Sequence, residues 1–171
     1  QLPEDRWISA VEFKPGSDVV HHIIGHATMP VEGAVDAEEG ETERGMIGGN
    51  APGADQEMFP EGYGIKLRKG SQITFALHYH KEAGPGTGRL DSSQIGIKFH
   101  PKDMPIEHPI EISTISYGNF EIPPHHGNWR VGSSRYFAED THLLGMLPHM
   151  HLRGSAAKYT AFYPDGTSEI L

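Results

Sequence analysis

The chain has 171 residues, with 14 Lys and Arg against 23 Asp and Glu, a net charge of −9 and no cysteine. The acidic balance argues against nucleic acid as a partner, because phosphate binding needs a basic surface. The lack of cysteine excludes disulfides, zinc–thiolate sites and the thiolate-ligated blue copper centre. No run of about 18 apolar residues is present that could span a membrane, and no signal peptide is visible.

Short strands separated by turns are predicted along the chain, because 21 Gly and 13 Pro interrupt it and leave little room for long helices. Trp7–Phe13 alternates in polarity, which predicts a strand with Val11 and Phe13 on one face and Ile8 on the other. The β-branched run Val19–Ile24 predicts a second, buried strand. Further strands are predicted at Gly64–Arg68, Ser71–His80 and Ser92–His100.

The segment Val31–Gly64 differs from its neighbours because it is rich in Gly, Glu and Asp, including Glu38–Glu41. This composition predicts an acidic surface loop without a specific role, with a turn at Ala51–Gly53 inside it.

The second half of the chain is predicted to begin another β domain. Pro164–Thr167 predicts a hairpin turn, and Ser168–Leu171 begins the returning strand. That strand is too short to pair fully with the preceding one, so we expect the chain to end inside a domain. The sequence thus predicts an all-β protein with one domain at residues 1–110 and a truncated one at 111–171. The predicted strands before the hairpin turn are Ile110–Tyr117, Asp140–Met150 and Ala156–Tyr163.

Histidine is unusually frequent, with 12 residues in the chain, against roughly four expected from ordinary composition. Their clustering matters more than their number, because metal binding needs imidazoles that converge. Most of them fall in close pairs, which are His21 with His22, His78 with His80, His125 with His126, and His149 with His151.

The spacing of each pair decides whether both rings can reach one ion. Side chains at i and i+2 on a strand share a face, so His149 with His151, and His78 with His80, could each chelate copper or zinc. Adjacent strand residues face opposite sides, so His21 and His22 can share an ion only if the strand twists or bulges there.

The remaining histidines give weaker signals. Isolated histidines are more often structural or surface groups than ligands, and we expect this of His26, His100 and His108. His125 and His126 lie in a Pro-rich loop, which favours a solvent-exposed turn.

Two common histidine-rich β families do not fit. A cupin carries Glu three or four residues after its His-x-His, and none stands at that distance from His80 or His151. Multicopper oxidases need a cysteine for their electron-entry copper, and the chain has none.

Four motifs in chain order resemble the copper type II, ascorbate-dependent monooxygenases, the family of peptidylglycine α-hydroxylating monooxygenase and dopamine β-monooxygenase, and bacterial members in particular. The resemblance spans nearly the whole chain. The motifs are a Lys-Pro turn followed by His-His in an apolar strand (Lys14–Ile23), a Pro-Gly turn and a Pro-x-Gly-x-Gly stretch (Ala51–Gly64), a His-Tyr step (Ala76–Tyr79), and His-x-His before Leu-x-Gly with a histidine seven residues upstream (His142–Gly154).

This resemblance implies two jelly-roll-like antiparallel β-sandwich domains with one copper site each, the second domain being incomplete here. An electron-transfer copper would be held by His21, His22 and His78. An oxygen-binding copper would be held by His149, His151 and a methionine, whose thioether favours Cu(I). His80 is expected not to be a ligand, since the family motif selects the residue before Tyr79. Whether His80, His125, His126 or His142 assists stays open.

The implied activity is hydroxylation of an aliphatic C–H with O2 and ascorbate or a similar one-electron donor. The substrate would be a small molecule or peptide-like, and the location extracellular or periplasmic. No catalytic residue is assigned beyond the ligands.

This sequence departs from the family in two respects. The family's disulfides are absent, and its ligand methionine lies well beyond the His-x-His, so we expect the chain by itself to hydroxylate nothing. The alternative is a non-catalytic copper-binding or copper-carrying β-sandwich protein of the same ancestry.

Overall fold

In a computed structural model, which describes residues 1–31, 42–50, 57–150 and 153–171, the protein is all-β. The chain divides into two units, Gln1–Thr114 and Ile115–Leu171. Over these ranges no helix is present that is long and apolar enough to cross a membrane. The strands are β1 (Arg6–Lys14), β2 (Val20–Pro30), β3 (Thr42–Asn50), β4 (Glu57–Met58), β5 (Tyr63–Leu67), β6 (Gln72–Tyr79), β7 (Gln94–Phe99), β8 (His108–Pro109), β9 (Thr160–Phe162) and β10 (Ser168–Ile170).

Two sheets form the first unit. In the larger sheet β1 is central, with β7 along one edge and β4 and β5 along the other, all antiparallel, while β8 joins β5 in parallel. The smaller sheet has the antiparallel order β3-β2-β6. The strands predicted in this half are therefore present, and most of their ends differ by one or two residues. The exception is the second strand, because β2 continues six residues beyond Ile24 and only Ile23 of the predicted buried run is buried.

A single apolar core lies between these two sheets. Side chains from β1 and β5 meet side chains from β2 and β3, so the sheets pack face to face as a sandwich. The core residues are Ile8, Val11, Phe13, Ile23, Ala27, Ile47, Ile65 and Leu67.

The prediction of which β1 side chains face the core is wrong for Ile8, near the start of the strand. Ile8 is fully buried together with Val11 and Phe13, although strict alternation places Ile8 on the opposite face. The ladder with β7 shifts register between Ile8 and Ala10, which marks a β-bulge. The extra residue resets the alternation and turns all three side chains into the core.

The predicted acidic loop at Val31–Gly64 is wrong for its central part. Thr42–Asn50 is β3, which pairs along β2 from Pro30 to Ile23. Its glycines and charged residues are not typical of a strand. The strand forms because its backbone pairs with the edge of β2 and because one side chain, Ile47, is buried in the core. The Glu38–Glu41 run and the Ala51–Gly53 turn lie outside the described residues.

In the second unit, the described residues pair into strands only in the hairpin of β9 and β10. Its predicted turn is confirmed, and the Asp165 carboxylate accepts hydrogen bonds from the backbone N–H and hydroxyl of Thr167 at 2.8 and 2.7 Å. The strand predicted at Asp140–Met150 is wrong, and that at Ala156–Tyr163 is shortened to β9. Among the described residues Asp140–Met150 has no ladder partner, and apolar pattern alone does not make a strand.

The strand predicted at Ile110–Tyr117 is also wrong. The segment makes only an isolated antiparallel bridge, between Ile112 and Met46 of β3. The backbone N–H of Ile110 also donates to the carbonyl oxygen of Gly64 at 2.8 Å. Ile110 and Ile112 pack against the core of the first unit, whereas Ile115 and Tyr117 are exposed.

Gly25 of β2 lies directly under the Phe13 ring. A Cβ at Gly25 would stand 2.7 Å from Cζ of Phe13 and 3.1 Å from Cγ1 of Ile47. We expect Gly25→Ala to lower the free energy of unfolding by about 1–3 kcal/mol through overpacking. Gly45→Ala is the matched control in the same sheet, because its Cβ would only touch Met29 Cε at 3.4 Å. Urea unfolding should separate the two variants, and equal midpoints would contradict the tight contact.

Candidate metal centre

A β-bulge at the start of β2 determines the geometry of the candidate centre. In the ladder between β2 and β6, Val20 pairs with Tyr79 and His22 pairs with His78, so His21 is an extra residue on β2. In such a bulge two successive residues oppose one residue of the partner strand. The two adjacent histidines therefore face His78 together, which satisfies the condition that the sequence set for a shared ion.

The three imidazole rings form one compact cluster. The ring centroids lie 5.3 Å apart for His21 and His22, 5.4 Å for His21 and His78, and 4.7 Å for His22 and His78. Nδ1 of His21 lies 3.0 Å from Nδ1 of His22, at hydrogen-bond distance. One nitrogen from each ring lies within 4.8 Å of the others.

These dimensions and donor types fit a metal ion that prefers imidazole. Such ligands bind at about 2.0–2.1 Å, so two nitrogens on one ion are at most about 4.2 Å apart. A movement of less than about 1 Å brings the widest pair within that limit. Three imidazoles without a carboxylate or thiolate suit copper, zinc, iron or nickel and do not suit Mg²⁺ or Ca²⁺.

The cluster lies on the face of the small sheet that points away from the core. Ile23, next to His22, is buried, and it pairs with Leu77, which packs against the same core. By the alternation of a strand, His22 and His78 point to the opposite face. His21 and His78 are exposed and His22 is half-buried, so the rings are open to small solutes.

His80 lies just beyond this cluster. Its backbone N–H donates to the carbonyl oxygen of Val19 at 2.8 Å, which continues the β2–β6 pairing by one step. Its side chain is exposed and is not a member of the three-histidine group. That His80 is not a ligand remains a prediction.

Two of the isolated histidines lie in structural surroundings. His100 is buried, and its Nε2 lies 2.8 Å from the carbonyl oxygen of Tyr63. His26 pairs with Thr74 in the ladder, and burial together with the nearby Arg44 guanidinium lowers the pKa of its imidazole. The third isolated histidine, His108, has its ring against that of Tyr63, with 4.5 Å between centroids and a tilt of 31° between the ring planes.

Of the two histidines predicted for a second copper site, only His149 lies within the described residues. His149 is exposed in the second unit, and His151 lies outside the described residues. His142 is exposed, and His126 contacts Trp129 edge-on with 5.2 Å between centroids. His125 has a φ of 64°, in the left-handed region, as expected for a residue in a tight turn.

Sequence reasoning missed a polar network that includes Tyr79, the residue after His78. Asp91 Oδ2 accepts hydrogen bonds from the Tyr79 hydroxyl at 3.1 Å and from the Ser93 N–H at 3.3 Å, while Oδ1 accepts from the Ser93 hydroxyl at 3.0 Å. Burial raises the pKa of Asp91, but the hydrogen bonds from Ser93 and Tyr79 outweigh it and leave that pKa below its ordinary value. The available signal was Asp-Ser-Ser at 91–93, a pattern typical of side chain–backbone turns.

Comparisons with family models, with curated protein sequences and with solved structures find no match for this chain.

Proposed function

We propose that His21, His22 and His78 bind one copper ion, and that the protein serves as the electron-transfer part of a copper-dependent monooxygenase. In this proposal the oxidant is O2 and the electron donor is ascorbate or a similar one-electron reductant. The observation that carries it is the bulge at His21, which turns two adjacent imidazoles toward a third. A bulge interrupts the ladder, and such features are typical of sites with a function.

The chemistry of the cluster supports copper in a redox role. Copper bound there would supply one-electron chemistry between Cu(II) and Cu(I), and three neutral imidazoles can bind both states. The strands position the rings, and the exposure of His21 and His78 gives a small donor direct access.

The hydroxylation part of the proposal depends on the second half of the chain. There His149 and His151, with a thioether, would hold the oxygen-binding copper, and the product would be an alcohol formed from an aliphatic C–H of a small or peptide-like substrate. An extracellular or periplasmic location belongs to the same proposal.

Copper titration of the full chain tests the proposal. We expect close to one tightly bound copper, a Cu(II) electron paramagnetic resonance spectrum with nitrogen splitting, and loss of that signal on adding ascorbate. At a free copper concentration of 100 times Kd, the free energy of unfolding should rise by about 2.7 kcal/mol. The control is a variant with alanine at His21, His22 and His78, and equal tight binding by this variant would refute the proposal.

A non-catalytic copper carrier is the second candidate. It is favoured because, over the described ranges, His21, His22 and His78 form the one group of three or more metal-binding side chains. A carrier should pass its Cu(I) rapidly to a Cu(I) chelator, whereas an enzyme should retain copper through repeated cycles with ascorbate and O2. The rate of chelator capture after reduction distinguishes the two.

A further inference from the structure

We propose that Asp91 is a positioning residue for the copper site, acting through Tyr79. The inference rests on the proposed function, because it concerns the same three histidines. Asp91 belongs to the segment before β7, which carries no metal ligand, yet its carboxylate is bonded to the residue that follows His78 in the chain.

The carboxylate joins two segments that lead to the ligands. On one side the Tyr79 hydroxyl donates to Asp91 at 3.1 Å. On the other side the Ser93 hydroxyl donates to Asp91 at 3.0 Å and accepts a hydrogen bond from the Gly16 N–H at 3.0 Å. The network therefore runs from the last residue of β6 to the turn between β1 and β2, from which the chain enters β2 and reaches His21.

Close packing at Gly16 makes this connection stiff. A Cβ at Gly16 would stand 2.3 Å from the backbone carbon of Ser92 and 2.4 Å from the backbone nitrogen of Ser93, so the turn lies directly on that segment. The turn is also fixed to β2, because the Val20 N–H donates to the Ser17 carbonyl oxygen at 3.3 Å.

The site needs such a connection because it lies where the ladder ends. Val20 and Tyr79 form the last paired residues of β2 and β6, and the bulge separates them from the next pair, His22 and His78. Beyond them the backbone pairing between the two segments continues with the hydrogen bond from the His80 N–H to the Val19 carbonyl oxygen at 2.8 Å. A sheet end opens more readily than its middle, and opening there would move His78 away from His21 and His22.

The test compares four single variants of the full chain and one double variant, which combines Tyr79→Phe with Asp91→Ala. Tyr79→Phe removes only the donating hydroxyl, and Asp91→Ala removes the acceptor. Asp91→Asn is the conservative variant, because its carbonyl oxygen can accept from Tyr79 while its amide donates to the Ser93 hydroxyl. Asp165→Ala is the matched control, since Asp165 also bonds a residue two positions on, Thr167, but lies in the hairpin of the second unit.

We expect Tyr79→Phe and Asp91→Ala each to weaken copper binding about tenfold, the lower end of the effect of residues that orient metal ligands. The double variant should bind copper no more weakly than the weaker-binding of the two single variants, because both changes break the same connection. Asp91→Asn should recover most of the affinity, and Asp165→Ala should bind as the wild type does. The readouts are chelator competition and the Cu(II) spectrum, whose hyperfine splitting should change in the two breaking variants. Thermal unfolding of the copper-free proteins checks that they fold.

The outcomes separate the two proposals. If the wild-type chain fails to bind copper through imidazoles, the proposed function is wrong and this inference falls with it. If the wild type does bind copper through imidazoles, the two breaking variants decide the matter. Asp91 does not position the site if folded Tyr79→Phe and folded Asp91→Ala both keep the wild-type affinity and spectrum. Additive losses in the double variant would likewise overturn the inference.

Discussion

Replacing His78 with alanine should weaken copper binding by roughly 100-fold or more. Structural metal sites with four ligands bind with about 10–16 kcal/mol, so one ligand contributes roughly 3 kcal/mol, and each 1.4 kcal/mol is a factor of ten. His78 is the one member of the three-histidine cluster that lies on β6, and in the proposed site the two rings on β2 would leave one coordination position open without it. Chelator competition measures the affinity, and the nitrogen splitting of the Cu(II) spectrum should lose one ligand.

His80→Ala is the control for this experiment. His80 is also exposed and lies two residues further along, so strand alternation places its side chain on the same face as that of His78. It should change copper affinity little. The proposed ligand set is wrong if His78→Ala keeps the wild-type copper content. It is also wrong if His80→Ala loses as much copper affinity as His78→Ala does.

Replacing Ile23 with alanine should lower the free energy of unfolding by about 2–5 kcal/mol. Its side chain is 1% exposed and is part of the core between the two sheets. Removing it leaves a cavity that neighbouring side chains fill only in part. Since a domain of this size has about 5–15 kcal/mol of stability, the variant should unfold at clearly lower urea concentration.

Ile24→Ala is the matched control, because Ile24 has the same side chain on the same strand but points to the outer face, where it is half-buried. Its expected loss is about 1 kcal/mol. If both variants unfold at the same urea concentration, the inward facing of Ile23 is wrong, and with it the outward facing of His22.

Local pattern predicted those parts of the fold that depend on a few neighbouring residues. The alternating and β-branched runs placed β1, β2, β6 and β7, and the Pro-Asp-Gly-Thr turn placed the final hairpin. Local pattern failed where pairing with another strand decides whether a segment becomes a strand. β3 owes its existence to the free edge of β2, and Asp140–Met150 stays irregular despite its apolar residues.

The sequence predicted the candidate site only on the condition that β2 bulges at the adjacent histidines. The adjacent pair His21 and His22 required a bulge to share an ion, and no sequence rule places a bulge at a given residue. Register between β2 and β6 supplies it, since His78 must pair with His22 while Val20 pairs with Tyr79. Asp91 was missed for a similar reason, because its hydrogen bond to Tyr79 joins residues twelve positions apart that only the folded chain brings together.

The outward placement of the three histidines has a consequence for how this surface can change over generations. None of the three rings is part of the packed interior, so each can be exchanged without creating a cavity. In the proposed metal site, ligand identity and core packing could then vary independently, and selection could act on metal preference while the sandwich stays as it is. A carboxylate or thioether introduced at the position of His21, for instance, would alter which ion is held and its redox potential on an unchanged scaffold.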